Sequence, residues 1–161
     1  MDKNNHNQSC ECSITEQGLT ENDGKQKTLN IKWQRLITKG ETCSRCGSTE
    51  QELDKAIDKL KQALTPLGIE VKLEKEKISI LEFKEDPLQS NRIWINEQPI
   101  EDFIKGNVGE SPCCDVCGPS DCRTVEIDGK IYETVPADLI IQAGLMAANY
   151  ILNSKKTNSC C

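Results

Sequence analysis

Residues 38–47 read Thr38-Lys-Gly-Glu-Thr-Cys-Ser-Arg-Cys-Gly47, a segment that joins a predicted strand to a predicted helix. Alternating apolar residues over 29–37 predict the strand. After the segment, Thr49-x-x-Glu52 predicts a capping box at the start of the helix. Pro66 and Gly68 then end the helix. Its buried face is predicted from four apolar residues at helical spacing: Leu53, Ile57, Leu60 and Leu64.

The rest of the chain continues the alternation of strands and helices. The predicted elements, in chain order, are a strand from Ile69, a short helix over 78–85, strands over 92–96 and 99–103, a cysteine-rich loop over 106–122, a hairpin over 123–134 and a helix from Pro136 to Leu152. A helical crossover between the first two strands implies that they are parallel. The sequence therefore predicts an α/β domain over 28–152. Polar tails without periodicity, 1–27 and 153–161, are predicted to be disordered.

Three motifs connect this pattern to known families. The Cys-Ser-Arg-Cys segment between the first strand and the first helix resembles the thioredoxin-like fold, and Arg92–Pro99 resembles the third and fourth strands of its glutaredoxin branch. Residues 29–150 resemble an uncharacterised prokaryotic family, a domain of unknown function, through Glu41–Gly47, Ser90–Asn96 and Gly109–Cys114. The resemblance implies a mixed four-stranded sheet with flanking helices and a cysteine-rich insertion before the last helix. It implies no established activity.

The chain departs from the thioredoxin-like pattern at one functional position. Oxidoreductases of that fold place a cis-proline before the third strand, facing the cysteine pair, where it shields the sulfurs from metal ions. Ser90 and Asn91 occupy this place here, and Pro87 lies too far upstream. The departure favours metal binding over disulfide chemistry.

Composition excludes several classes of partner. The net charge is −6 and no long basic run occurs, which argues against nucleic acid and anionic membranes. No glycine-rich phosphate loop is present, so no organic cofactor is predicted. The first residues lack the apolar stretch of a secretory signal, and the apolar segment 137–152 is too short and polar to cross a bilayer. We expect a cytoplasmic protein whose ten cysteines are held reduced.

Cys43 and Cys46 form the strongest functional signal. Two intervening residues at a helix start let both sulfurs face one point. The helix N-terminus is partially positive, and Arg45 adds a full charge nearby. These features favour thiolates, which bind metal ions or attack disulfides.

A second group of cysteines follows the fourth predicted strand: Cys113, Cys114, Cys117 and Cys122. In a thioredoxin-like sheet this strand returns to the edge that carries Cys43 and Cys46, so the two groups are expected to share one site. The alternative is a separate zinc-stapled loop. Neighbouring Cys113 and Cys114 have Cα atoms about 3.8 Å apart, too close for an unstrained mutual disulfide. They are predicted to share one soft ion or to pair with more distant cysteines.

The tails carry two further cysteine pairs, Cys10/Cys12 and Cys160/Cys161. The vicinal pair at the carboxyl end resembles the one with which mercuric reductases pass metal inward. These pairs are interpreted as ligand collectors, with chance occurrence as the alternative. His6, the single histidine, is interpreted as incidental.

Three functions remain open on the sequence. The first is binding or transfer of a soft ion (Hg, As, Cu or Zn) by Cys43 and Cys46 with Cys113, Cys114 or Cys117. The second is thiol–disulfide exchange with a protein partner, in which a more exposed Cys43 attacks and Cys46 resolves. The third is a zinc-stapled interaction module on Cys43, Cys46, Cys114 and Cys117. Whether the protein is an enzyme is left open.

Overall fold

The computed structural model describes residues 26–113 and 116–154. Seven strands and four helices occur in this part of the chain. In chain order they are β1 (Lys27–Leu36), α1 (Ser44–Leu64), β2 (Ile69–Ile78), α2 (Ile80–Glu85), β3 (Arg92–Ile95), β4 (Gln98–Pro99), α3 (Ile100–Ile104), β5 (Asn107–Pro112), β6 (Asp121–Ile127), β7 (Lys130–Tyr132) and α4 (Ala137–Asn153).

The first sheet is mixed, four-stranded and ordered β2-β1-β3-β4. β1 and β2 run parallel over ten paired residues, as the predicted helical crossover requires, while β3 is antiparallel to both β1 and β4. Leu29, Ile31 and Trp33 alternate along β1 and are buried, because one face of the sheet lies under α1 and α4. The predicted mixed sheet with helices is confirmed.

Helices α1 and α4 pack closely over this sheet. A Cβ atom built on Gly144 of α4 would come within 2.7 Å of a methyl carbon of Leu60 on α1. Glycine therefore permits the approach of the two helices. The apolar segment predicted to be a core helix is α4, whose buried face is made of small residues and one isoleucine: Ile140, Ala143, Gly144, Ala147 and Ala148. Within the described ranges, no helix combines the length and apolar character needed to span a bilayer.

Helix α1 begins earlier than predicted. Its N-cap is Cys43, and Ser44 is its first residue, so the predicted capping box at Thr49 and Glu52 is wrong. Thr49 lies inside the helix and is buried. The Glu52 carboxylate instead accepts a hydrogen bond of 2.9 Å from the backbone N–H of Ala137, and it thereby caps the start of α4, whose own N-cap residue, Pro136, offers no side-chain bond.

The region after β3 also differs from the prediction. The fourth strand is only two residues long, and the residues predicted to continue it form α3. Glu101 and Asp102 lie in the first turn of α3, where acidic side chains stabilise the positive end of a helix. The predicted cysteine-rich loop is largely a hairpin, since β5 pairs with β6.

Strands β5, β6 and β7 form a second, antiparallel sheet. The predicted hairpin at Asp128-Gly129 is confirmed as the β6–β7 turn, with positive φ at both residues. A buried ion pair joins the second sheet to α3. Arg123 on β6 donates from Nη2 and Nε to Oε1 of Glu101 on α3, at 2.9 and 3.2 Å. Its Nη1 donates to the carbonyl of Leu88 at 3.2 Å. These contacts orient the second sheet against the first.

Candidate metal centre

The loop after β1 delivers Cys43 to the start of α1. A tight turn pairs the backbones of Thr38 and Glu41, and the Thr42 hydroxyl donates a 3.0 Å hydrogen bond back to the carbonyl of Leu36. The chain then enters α1 with the sulfur of Cys43 accepting from the N–H of Cys46 at 3.5 Å. Cys43 is thus both the cap of the helix and the first residue of the candidate site.

Three sulfurs meet at this point. The Sγ atoms of Cys43, Cys113 and Cys117 all lie within 4.8 Å of one another. Cys43 and Cys117 are buried, and Cys113 is partly exposed. The predicted meeting of the two cysteine groups is confirmed for these three residues, which come from remote parts of the chain.

Cys46 lies beside this group but is not a member of it. Its Sγ is 3.7 Å from the hydroxyl oxygen of Ser90, and that oxygen also accepts from the N–H of Leu36 at 3.0 Å. Ser90 therefore lies against Cys46, the second cysteine of the pair.

The pKa of Cys46 is raised. The largest cause is the hydrogen bond with Cys43, followed by burial and by the charge of Cys43. These causes favour the neutral thiol form of Cys46 next to the three-sulfur group. The expectation that Cys43 is the more exposed of the pair is wrong, because both residues are only 2% exposed.

Cys113 also takes part in a disulfide, with Cys122. The β5–β6 register places Ser111 opposite Cys122, and the N–H of Cys113 donates to the carbonyl of Ser120 at 3.0 Å. The two cysteine Cα atoms are 5.2 Å apart, within the range that a disulfide spans. The expectation that the cysteines are all reduced is wrong for this pair, because the hairpin holds the two side chains face to face.

Arg45 ties the hairpin to the start of α1. Its Nη2 donates to the carbonyl of Pro112 at 3.2 Å and pairs with Oε1 of Glu133 at 2.9 Å. The same carboxylate oxygen accepts from the Ser111 hydroxyl at 3.0 Å. Arg45 thus connects the residue before Cys113 to the helix that begins at Cys43. Sequence reasoning assigned Arg45 to the thiolates and missed this clamp, since no local pattern relates it to Glu133.

Several predicted site residues lie outside the described residues: Cys10, Cys12, Cys114, Cys160 and Cys161. His6 and the two tails predicted to be disordered, apart from residues 26–27 and 153–154, lie there as well. The interpretation of the paired tail cysteines as ligand collectors stays a prediction.

Comparison with known proteins gives a family and no activity. A family model described as a domain of unknown function (DUF2703) matches residues 29–144. An uncharacterized protein of Archaeoglobus fulgidus is 47% identical over 112 residues, which make up 70% of this chain and 82% of the relative. No solved structure matches the chain significantly.

Proposed function

This chain belongs to the DUF2703 family, and from that premise we propose that it binds a soft metal or metalloid ion through the thiolates of Cys43, Cys113 and Cys117. The observation that carries the proposal is the meeting of three sulfurs within 4.8 Å, one from the start of α1 and two from the later cysteine-rich segment. In their thiolate form, cysteines are strong ligands for soft ions.

The spacing of the sulfurs suits one ion after a small contraction. Zinc–sulfur bonds of about 2.3 Å at tetrahedral angles put neighbouring sulfurs about 3.8 Å apart. Since the observed separations do not exceed 4.8 Å, the side chains need to close by at most about an ångström, which χ1 rotations of cysteine provide.

The ligand set favours ions that accept three sulfurs. Within the described ranges, no histidine or carboxylate belongs to the group, and structural zinc almost always takes four ligands. Trivalent arsenic forms three bonds to thiolates and needs no fourth ligand, and Hg(II) also accepts sulfur alone. Among Hg, As, Cu and Zn, we therefore favour arsenic and mercury. In this proposal Cys46 supports Cys43, and Cys10, Cys12, Cys160 and Cys161 pass ions to and from the site.

The scaffold is part of the same proposal. Strand order β2-β1-β3-β4 with β1 parallel to β2, a Cys-x-x-Cys segment at the start of α1 and Ser90 beside Cys46 support a thioredoxin-like arrangement. In it the carboxyl end of β1 and the start of α1 carry the reactive sulfurs. The site would lie where proteins of that fold place their chemistry.

Anaerobic titration of reduced protein with arsenite and with Hg(II) tests the function. A background variant with serine at residues 10, 12, 160 and 161 removes the tail thiols, and Cys117→Ser in this background removes one proposed ligand. We expect uptake of one ion per chain that is tighter than uptake by glutathione, and a loss of affinity of about 100-fold in Cys117→Ser. Uptake no tighter than that of glutathione would refute the proposal.

The two alternative functions each predict a different experimental result. For a thiol–disulfide oxidoreductase, a Cys46→Ser variant would trap a partner disulfide on Cys43, but both sulfurs are 2% exposed, which hinders attack on a bulky partner. For a zinc-stapled module on Cys43, Cys46, Cys114 and Cys117, elemental analysis would find one zinc that survives dialysis. Either result would displace the ion-transfer proposal.

A further inference from the structure

We propose that the Cys113–Cys122 disulfide controls the ion site, and that a dithiol reductant opens the site by attacking Cys113. This inference rests on the proposed function, because it concerns when the three-thiolate set is complete. It adds a reaction of the chain, a two-electron reduction of one disulfide, to the binding of an ion.

The first observation is that the sulfur of Cys113 belongs both to the disulfide and to the group of three sulfurs. Cys113 is bonded to Cys122, and its Sγ also lies within 4.8 Å of the sulfurs of Cys43 and Cys117. A disulfide sulfur carries no negative charge, and the thiolate is the ligand form. The oxidised chain therefore offers an incomplete set, and reduction supplies the third thiolate.

The second observation is that Cys113 is held in place by contacts other than the disulfide. Its N–H donates to the carbonyl of Ser120, and the preceding residue, Pro112, accepts from Arg45. Arg45 extends from the first turn of α1, two residues after Cys43. When the disulfide opens, the Cys113 thiolate accordingly stays beside Cys43, and no large rearrangement is needed before an ion binds.

The third observation is the unequal exposure of the two cysteine residues. Cys113 is partly exposed and lines a surface pocket of about 390 Å³ together with Ser44, Arg45 and Glu133. Cys122 is only 2% exposed. A thiolate that enters this pocket reaches Cys113, whereas Cys122 is covered by the protein. The geometry therefore selects Cys113 as the sulfur attacked and Cys122 as the leaving group.

The reaction balances with one dithiol per chain. A thiolate of the dithiol attacks Cys113 Sγ, which forms a mixed disulfide and breaks the Cys113–Cys122 bond, so Cys122 leaves as a thiolate and takes a proton. The second thiolate of the reductant attacks the reductant's own sulfur in the mixed disulfide and releases the Cys113 thiolate. The dithiol loses two electrons and becomes a disulfide, and the protein gains two thiols.

The test compares one chain in two redox states. The background variant without tail cysteines is prepared oxidised, or reduced with dithiothreitol that is then removed anaerobically, and both forms are titrated with arsenite. We expect the reduced form to bind at least about tenfold more tightly. A Cys122→Ser variant, which cannot form this disulfide, should bind like the reduced form without any reductant.

The outcomes separate this inference from the proposed function. Equal uptake by the oxidised and reduced forms would overturn the redox control and leave the ion site standing. Failure of the reduced form and of Cys122→Ser to bind would overturn both.

A second measurement tests the point of attack without any metal. The oxidised protein is treated with glutathione, quenched with acid and mapped by peptide mass spectrometry. Adducts on Cys113 should exceed those on Cys122 by about tenfold, and a majority on Cys122 would contradict the assignment.

Discussion

The two regions that supply the candidate site are built very differently. Cys43 and Cys46 belong to the β1–α1–β2 unit, where both sulfurs are buried and one of them caps a helix. Cys113 and Cys122 belong to the β5–β6 hairpin, where one sulfur is partly exposed and the two are covalently joined. Under the proposed function, the first region supplies a fixed ligand, and under the redox inference the second supplies a ligand whose availability depends on redox state.

This difference assigns the rigid support of a ligand to one region and the control of ligand availability to the other. A site made only from the first region would be permanently formed but inaccessible, since neither cysteine residue is more than 2% exposed. A site made only from the hairpin would lack a rigid support. Each variant below tests how the two regions are connected or how much a residue contributes to stability or to ion affinity.

The largest effect is expected from Glu101→Ala, which leaves Arg123 buried without its charged partner. Removal of one member of a buried pair typically costs about 3–5 kcal/mol, and the Glu101 and Arg123 side chains are only 5% and 6% exposed. Denaturant unfolding should report this loss. Glu70→Ala, which breaks the exposed pair with Lys72, should cost less than about 1 kcal/mol. Similar costs for the two variants would contradict the claim that the buried pair of Arg123 and Glu101 stabilises the contact of the second sheet with α3.

The next largest effect is the difference in arsenite affinity between Cys43→Ser and Cys46→Ser. Loss of a thiolate ligand should weaken arsenite binding by about 100-fold, equivalent to about 2.7 kcal/mol. Cys46 lies outside the group of three sulfurs, and its raised pKa, caused first by the hydrogen bond with Cys43, favours the thiol form. Cys46→Ser should therefore weaken binding by less than about tenfold. Titration of both reduced variants checks the order. Equal losses would mean that Cys46 is itself a ligand.

A smaller effect is expected when the clamp between the regions is removed. Arg45→Ala deletes the contacts with Pro112 and Glu133 and frees the hairpin to move relative to Cys43. Partners that orient ligands typically account for about 10-fold to 100-fold in metal affinity, and we expect the lower figure. Lys59→Ala, an exposed change on the same helix, is the control. Unchanged arsenite affinity in Arg45→Ala would show that the hairpin needs no clamp.

The smallest effect concerns the cap that Glu52 provides for α4. Hydrogen bonds from Lys55 and from the Ala137 N–H lower the pKa of Glu52. Its ionised carboxylate therefore stabilises the folded state at pH values above the ordinary glutamate pKa of about 4.3. That contribution is lost as the pH falls through the lowered folded-state pKa. Glu52→Gln should reduce the unfolding free energy by about 0.5–1 kcal/mol at neutral pH. Unfolding curves of both proteins at acidic pH should converge, and a constant difference would contradict the charge-based explanation.

The sequence predicted the elements that depend on local signals. The alternation in β1, the apolar face of α1, the stop at Gly68 and the turn at Asp128-Gly129 are all encoded within a few residues. The meeting of Cys43 with the later cysteines was also predicted, but by a different route, since Cys113 follows β5 of the second sheet and not the fourth strand of the first.

The missed features depend on distant residues. The capping box of Thr49 and Glu52 satisfies the local rule, but Cys43 caps α1 first, and Glu52 caps a helix 85 residues away. The Cys113–Cys122 disulfide requires the register of β5 on β6, which alternation in a glycine- and proline-containing segment specifies weakly. The clamp made by Arg45 has no signal in the sequence at all.

The hydrogen bond from the Cys46 amide to the Cys43 sulfur has a consequence for how this protein can evolve. Serine is among the best helix caps, and a single nucleotide change converts a cysteine codon into a serine codon. The helix would survive that change while the soft ligand would be lost. Descendants of such a protein could therefore keep the same architecture and abandon its chemistry in one step, so shared ancestry alone does not guarantee a shared activity.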